Sequence, residues 1–376
     1  MNQKALLRIA ERLERLAGRL PSKIRKAVLS ELTPLKELFL QQRPPRFLFI
    51  GSSKMPTHRI INTLFTSGAQ EQMNLAVMPV HHWVDWNVSG HGTISILDAR
   101  DAGDSAAAQV EEDLRRQPAD VIFFFDDGES NLARPSAANF ILHLQDEVGG
   151  ALDHAKVIGV SFGSERCVAQ LEEALKTQPA IRDRLLKVIQ FTEMHSAATR
   201  GLLSVLAGEL PNEAKIEMIR ISRDREAQHH VAQMLVKSTT AICTAIGAQP
   251  IPLADLPILT SLQVMMVSGI MYISGRERSL RAATEFITAL GANVGAGMIL
   301  REGARAILKF FPGWGNVVCG MVAGAGTYAI GRAATAFFIG GTSLKDARRK
   351  YLADRKKASH ESHWSHGSLG ASKSIE

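Results

Sequence analysis

Arg46-Phe-Leu-Phe-Ile-Gly51-Ser52-Ser53-Lys54-Met55-Pro56-Thr57-His58-Arg59-Ile60-Ile61-Asn62-Thr63-Leu64-Phe65 is the stretch on which the fold turns. Phe47 to Ile50 form an unbroken apolar run ending in a glycine, and after a short polar loop Ile60, Ile61, Leu64 and Phe65 recur at helical spacing. Strand, glycine loop and helix in this order outline a phosphate cradle, whose complete pattern is Gly-x-x-x-x-Gly-Lys-[Ser/Thr]. There the loop amides wrap the phosphates, the lysine reaches their oxygens and the hydroxyl holds magnesium. Gly51 matches the first position. Pro56 stands at the second glycine and removes an N–H from the cradle, Thr57 stands at the lysine and His58 at the magnesium hydroxyl. The outline is kept while its chemistry is lost.

Outward from this segment, short apolar runs alternate with amphipathic stretches. The runs predict strands at Phe47–Ile50, Asn74–Met78, Thr93–Leu97, Val121–Phe125, Lys156–Ser161 and Val188–Phe191. Between and after them, helices are predicted at Thr57–Phe65, Ser105–Arg116, Ser136–Glu147, Cys167–Lys176 and Ser196–Leu206. Continuous apolar strands alternating with helices argue for a three-layer α/β domain with a mostly parallel sheet, whose ligands would sit at the carboxyl ends of the strands.

With 376 residues the chain exceeds the size at which one core stops growing. The pattern divides it into an amphipathic helical extension at 1–43, the α/β domain at 44–210, a charged linking helix at 211–249, a hydrophobic helical domain at 250–343 and a basic tail at 344–376. The N-terminus continues into an amphipathic pattern, so no secretory signal is expected. Cys167, Cys243 and Cys319 are widely spaced and form no metal motif, which fits a reducing compartment and small buried side chains.

The formal net charge is +7, and part of the excess lies in Lys345–Lys357, just after the most apolar part of the chain. A basic run beside apolar sequence fits attraction to an anionic membrane better than base readout, so nucleic acid is not the expected partner. Three charge-free stretches, Leu256–Gly275, Phe286–Leu300 and Phe310–Gly331, straddle the length that spans a bilayer. Gly291-x-x-x-Gly295 and Gly320-x-x-x-Gly324 within them would allow close helix contact. Spanning helices and a buried or peripheral hairpin both remain open on this pattern.

The lead-in Glu31–Arg46, the Gly51 loop with Ile60–Phe65, the segment Pro250–Gln263, Phe311-Pro-Gly-Trp-Gly-Asn316 and Gly326-Thr-Tyr-Ala-Ile-Gly-Arg332 carry a resemblance. The chain resembles an Era-like GTPase domain of the P-loop class fused to the C-terminal hydrophobic domain of YcjF-type bacterial inner-membrane proteins. That resemblance implies a GTPase fold, and it allows the family's motifs to be checked against this chain. After strand Thr93–Leu97 the family's Asp-x-x-Gly reads Asp98-Ala99-Arg100-Asp101, which keeps the Asp and loses the Gly. After Lys156–Val160 the guanine-reading Asn-Lys-x-Asp reads Ser161-Phe162-Gly163-Ser164. The family's Ser-Ala-Lys element has no register in Thr192–Ala198, and no switch threonine stands between Met78 and Gly92.

Other clusters admit two readings each. Lys54 either contacts a phosphate from a new direction or is a solvated loop lysine. Asp126-Asp127-Gly128-Glu129 either holds a cation or marks a strand end, and no metal site is assigned. His81-His82-Trp83 with Asp85 and Trp86 is either a partner-binding patch on Trp83 and Trp86 or a hairpin over the sheet edge. His360, His363 and His366 lie in a polar tail and serve either a transition metal or nothing local.

The expectation is therefore a pseudo-GTPase. Gly51, Ser52, Ser53, Lys54, Thr57 and Asp98 would form a vestigial phosphate site, Ser161 and Ser164 would stand at the base-reading positions, and no residue would be catalytic. No resident cofactor is expected, with GTP and Mg²⁺ as the alternative, and the lost site would be empty or filled by Pro56, His58 and Asp101. The expected role is a scaffold for a protein partner, either a homologous intact GTPase or a second copy. It would be held at the cytoplasmic face of a bacterial inner membrane, peripherally or through residues 256–341. A nucleotide hydrolase built on Lys54, Thr57 and Asp98, and a soluble oligomer, are the competing readings.

Overall fold

The computed structural model describes residues 42–65, 81–88, 92–100, 104–128, 141, 143–191, 197–248, 255–291 and 315–354, with scattered positions between 18 and 31. The N-terminal helices for the most part, strand Asn74–Met78, the first part of helix Ser136–Glu147, Asp101, Glu129, the 192–196 region, residues 292–314 and the tail with His360, His363 and His366 lie outside the described residues. The chain divides into a sheet unit, Gln42–Asp224, and a helical unit that comprises Arg225 onward together with the N-terminal segment.

The sheet unit runs β1 (Arg46–Gly51), α1 (Thr57–Phe65), β2 (Val84–Val88), β3 (Gly92–Asp98), α2 (Asp104–Arg116), β4 (Val121–Asp126), β5 (Lys156–Ser161), α3 (Glu165–Lys176), α4 (Pro179–Arg182), β6 (Leu185–Gln190), α5 (Ala197–Glu209) and α6 (Asn212–Ser222). Its sheet has the order β2-β3-β1-β4-β5-β6. Every pairing is parallel except β2 with β3. The central strands are buried along their length because both faces are covered. Leu48, Ile50, Ile122 and Phe124 point to one side and pack with Val110 and Leu114 of α2 and Leu171 and Leu175 of α3. On the other side Phe47, Phe49, Phe123 and Phe125 form an aromatic seam, with Phe65 of α1 stacked on Phe47 at 5.2 Å.

The amino edge of the sheet is tied by one carboxylate. Asp120 accepts from both Arg43 Nη atoms at 2.6 Å and from the Arg46 N–H at 2.9 Å, which anchors the lead-in before β1. At the start of β3, the buried Glu217 of α6 accepts from Thr93 N–H at 3.1 Å and from Arg220 at 3.2 Å. Gly92 leaves room for that carboxylate, since a Cβ there would come within 2.9 Å of Glu217 Oε2.

One expectation is corrected here and another completed. The single linking helix read across 211–249 is two helices, α6 in the sheet unit and α7 (Arg225–Gly247) in the helical unit. Arg223 adopts φ +51° between them, ending α6 in the left-handed region that few side chains enter. The predicted strands include no range for β2, which pairs antiparallel with the predicted β3 at the sheet edge, as the hairpin reading of the Trp-rich segment expects.

The helical unit contains α7, α8 (Asp255–Ile273), α9 (Leu280–Ala289), α10 (Gly315–Phe338) and a further helix, α11, at 344–354. Glycine brings α10 against α7 without intervening side chains. A Cβ at Gly320 would meet Ala248 at 2.8 Å, one at Gly324 would collide with Thr244 Oγ1, and one at Gly331 would meet Val236 at 2.5 Å. The predicted Gly320-x-x-x-Gly324 contact is thus made inside this bundle. Gln263 of α8 donates to Thr327 of α10 at 3.0 Å, and Thr327 donates back to Ala323 O at 2.8 Å. Among the described residues no helix is long and apolar enough to cross a membrane.

Candidate functional site

Gly51 closes β1 at φ +94°, and its missing side chain lets the loop lie directly on β4, where Ser52 N–H donates to Phe125 O at 2.8 Å. Any Cβ at Gly51 would strike that carbonyl. Ser52 Oγ accepts from Lys54 N–H at 3.2 Å, and α1 opens after Pro56, whose carbonyl accepts from Arg59 and Ile60. The strand, loop and helix outline is therefore present.

The hydroxyl that reaches the strand-end aspartate lies one residue before the position that the expected pattern gives it. Counting from Gly51 puts His58 at the magnesium hydroxyl, yet His58 is exposed, and the Thr57 hydroxyl is the one that donates to Asp98 at the end of β3. In P-loop enzymes the loop hydroxyl and the strand-end aspartate jointly hold Mg²⁺. Here Thr57 and Asp98 share the Arg100 guanidinium instead. Arg100 Nε donates to Asp98 Oδ1 at 2.8 Å, Nη2 to Asp98 Oδ2 at 2.7 Å and to Thr57 Oγ1 at 2.9 Å, and Nη1 to Met55 O at 2.8 Å.

Arg100 is only 4% exposed, and its Cζ lies 5.2 Å from the Phe125 ring and 5.8 Å from that of Phe49. Removing a guanidinium from water costs several kcal/mol, and only dense, well-aligned acceptors offset it. All three of its nitrogens have such acceptors. Burial pushes the Asp98 carboxyl up, but hydrogen bonds and charge from Arg100, with the Thr57 hydroxyl, outweigh it and hold the group below the usual carboxylate range.

The group between Thr57 and Asp98 is thus Arg100, not one of the residues expected to fill a lost site. Pro56 and His58 are exposed, and Asp101 lies outside the described residues. Sequence reading passed over Arg100 because it occupies a variable position of Asp-x-x-Gly. The available signal was a cation two positions after the strand-end aspartate, in a chain whose loop has no lysine at the position the P-loop pattern requires.

The remaining predicted site residues are separated by use. Ser53 is exposed, and Lys54 Nζ reaches Asp127 O at 3.3 Å, away from Thr57 and Asp98. At the end of β5, where a base reader was expected, Ser161 is fully buried and donates to the buried Asp126 at 2.8 Å, cross-linking β5 to β4. Gly163 N–H donates back to Ser161 Oγ at 3.2 Å. Ser164 is exposed and lies 3.5 Å from Cys167 Sγ. Phe162 stacks on Phe125 at 6.0 Å and meets Phe191 edge-on at 5.3 Å, so aromatic rings cover the strand ends between them.

The Trp patch is corrected as well. Trp86 is 8% exposed and belongs to the core, since alternation along β2 turns it inward. Trp83 is half-buried against α2, donating to Asp113 O at 3.4 Å beside the His82–Asp113 contact at 3.0 Å. His81 Nδ1 lies 3.0 Å from Asp98 O. Among the described residues no three His, Cys, Asp or Glu side chains stand together as a metal site.

No family model matches the chain. It is 30% identical over 132 residues to magnetosome membrane protein 22 of Magnetospirillum gryphiswaldense. That match covers 32% of this chain and 66% of the relative, just under two thirds of its length.

Proposed function

We propose that this protein is a pseudo-GTPase, a G-domain-like module that works as a membrane-associated scaffold and not as a nucleotide hydrolase. The observation that carries the reading is Arg100, whose buried guanidinium bridges Thr57 and Asp98 at the position where magnesium would bridge them. A guanidinium is not deprotonated in proteins, so this cation is permanent. Binding Mg²⁺-nucleotide would require ejecting Arg100 from its acceptors or seating two cations side by side, and both are costly. At the base end Ser161 and Asp126 are committed to each other. The similarity to a protein titled a magnetosome membrane protein supports placement at a membrane.

The partner on this reading is a protein, a homologous intact GTPase or a second copy, met at the cytoplasmic face of a bacterial inner membrane. Equilibrium titration of the detergent-purified full chain with fluorescent GTP, GDP and ATP analogues, with and without Mg²⁺, tests it. No saturable binding is expected up to about millimolar nucleotide, the level that corresponds to about 4 kcal/mol of affinity. Magnesium-dependent binding that disappears in a Lys54→Ala variant would overturn the reading and make the loop an active site.

A further inference from the structure

Helix α11, residues 344–354, is fixed in rotation by two buried side chains one turn apart, Ala347 and Tyr351. Its start is capped: Ser343 Oγ accepts from Asp346 N–H at 3.1 Å, and the Asp346 carboxylate accepts the Ser343 hydroxyl at 2.7 Å. With the inward side set, successive residues advance by about 100° around the axis. Leu344, Arg348, Leu352, Lys345 and Arg349 then follow one another around a single arc that starts on the flank of the buried side beside Tyr351 and runs outward, all exposed, and no acidic residue shares it.

The leucines are the unusual members. Leu344 is 40% exposed and Leu352 49%, two turns apart, with the three cations between them. The helix's acids lie off the arc, Asp346 against Ser343 and Arg349, and Asp354 facing Arg332 at 3.5 Å. Among the described residues Lys345 and Arg348 have no carboxylate partner. In sequence the helix leads into Arg355-Lys356-Lys357.

We infer that this arc docks on an anionic lipid surface, the leucines entering the boundary between headgroups and acyl chains and Lys345, Arg348 and Arg349 lying at the phosphate layer. The inference rests on the membrane-associated reading above and names the surface and lipid charge that serve it. Charge complementarity selects the occupant. Protein interfaces are depleted of lysine at their centres, and a nucleic-acid backbone offers nothing apolar to two exposed leucines. An anionic bilayer satisfies both, with apolar contact and about 1 kcal/mol per basic residue near the surface.

Flotation of the full chain with vesicles of neutral phosphatidylcholine, alone or mixed with phosphatidylglycerol, provides the test. Binding to the mixed vesicles, weakened by salt and absent from neutral ones, is the expected result. An Arg348→Gln/Arg349→Gln variant is expected to bind about thirty-fold more weakly. Leu344→Gln/Leu352→Gln should weaken binding while keeping its salt dependence. Both pairs are exposed, and an unchanged thermal transition checks that each variant is folded. Binding that ignores lipid charge, or that survives both double substitutions, overturns the docking surface while membrane association stands. No binding of the unmodified chain to either vesicle overturns both.

Discussion

The sheet unit and the helical unit close their cores by different means. At its strand ends the sheet unit uses charge and hydrogen bonds, with Arg100 between Thr57 and Asp98, Ser161 on Asp126 and Glu217 on the start of β3. The helical unit relies mainly on the absence of side chains, and Gly320, Gly324 and Gly331 let α10 touch α7. Polar fastening fails when one partner is removed, because the other is left buried and unpaired. Steric fastening fails when atoms are added.

The sharpest way to break the sheet side is Asp98→Ala, which strands a buried guanidinium. An expected loss of about 3–5 kcal/mol follows from removing one member of a buried ion pair, seen as early denaturant unfolding. Adding Arg100→Leu should recover most of it, and a double variant no more stable than Asp98→Ala would show that the pair is not the fastening. For the helical side, Gly324→Leu drives a side chain into Thr244 and is expected to cost about 3 kcal/mol, with faster hydrogen exchange in α7 and α10. Equal exchange rates in variant and parent would refute close packing as the cause.

Acid sharpens the contrast, because the sheet unit's fastening includes a carboxylate, Asp98, held by a buried guanidinium. The folded Asp98 pKa lies below its ordinary 3.8. Its contribution is therefore complete above that value and is lost as pH falls through the lower folded value. An Asp98→Asn variant should show a shallower decline in stability below about pH 4 than the parent. Ser161→Ala should cost about 2 kcal/mol in thermal unfolding, since the hydrogen bonds to Asp126 and from Gly163 N–H both go while Asp126 keeps further contacts. Smallest of all, iodoacetamide at mildly alkaline pH should modify the half-exposed Cys167 and spare Cys243, whose thiol burial pushes up to about 12 despite an opposing hydrogen bond from Thr327. Labelling of Cys243 in the folded chain would show that the bundle opens.

Much of the fold was legible because buried parallel strands leave continuous apolar runs. β1, β3, β4 and β5 were placed to within a residue at each end, and α1 exactly where Pro56 allows a helix to begin. β2 was anticipated only as an edge hairpin and given no strand range, because an edge strand buries one side only and Val84-Asp-Trp-Asn-Val88 reads as a polar segment with a stray tryptophan. The break at Arg223 had no signal, since neither Gly nor Pro marks it and Ser222–Arg225 resembles a solvated helix face. At the site, the contact between the Thr57 and Asp98 segments was legible from the strand, loop and helix outline. Arg100 was not, because its partners Thr57 and Met55 lie more than forty positions away and meet it only once β1 and β3 are paired.

A dissolved metal ion occupies its site by mass action, so its hold on a fold rises and falls with ion concentration and vanishes with a chelator. The cation at Thr57 and Asp98 arrives with the polypeptide. Its supply is fixed at one per chain, and its effective concentration is set by the single residue, Ala99, that separates it from Asp98.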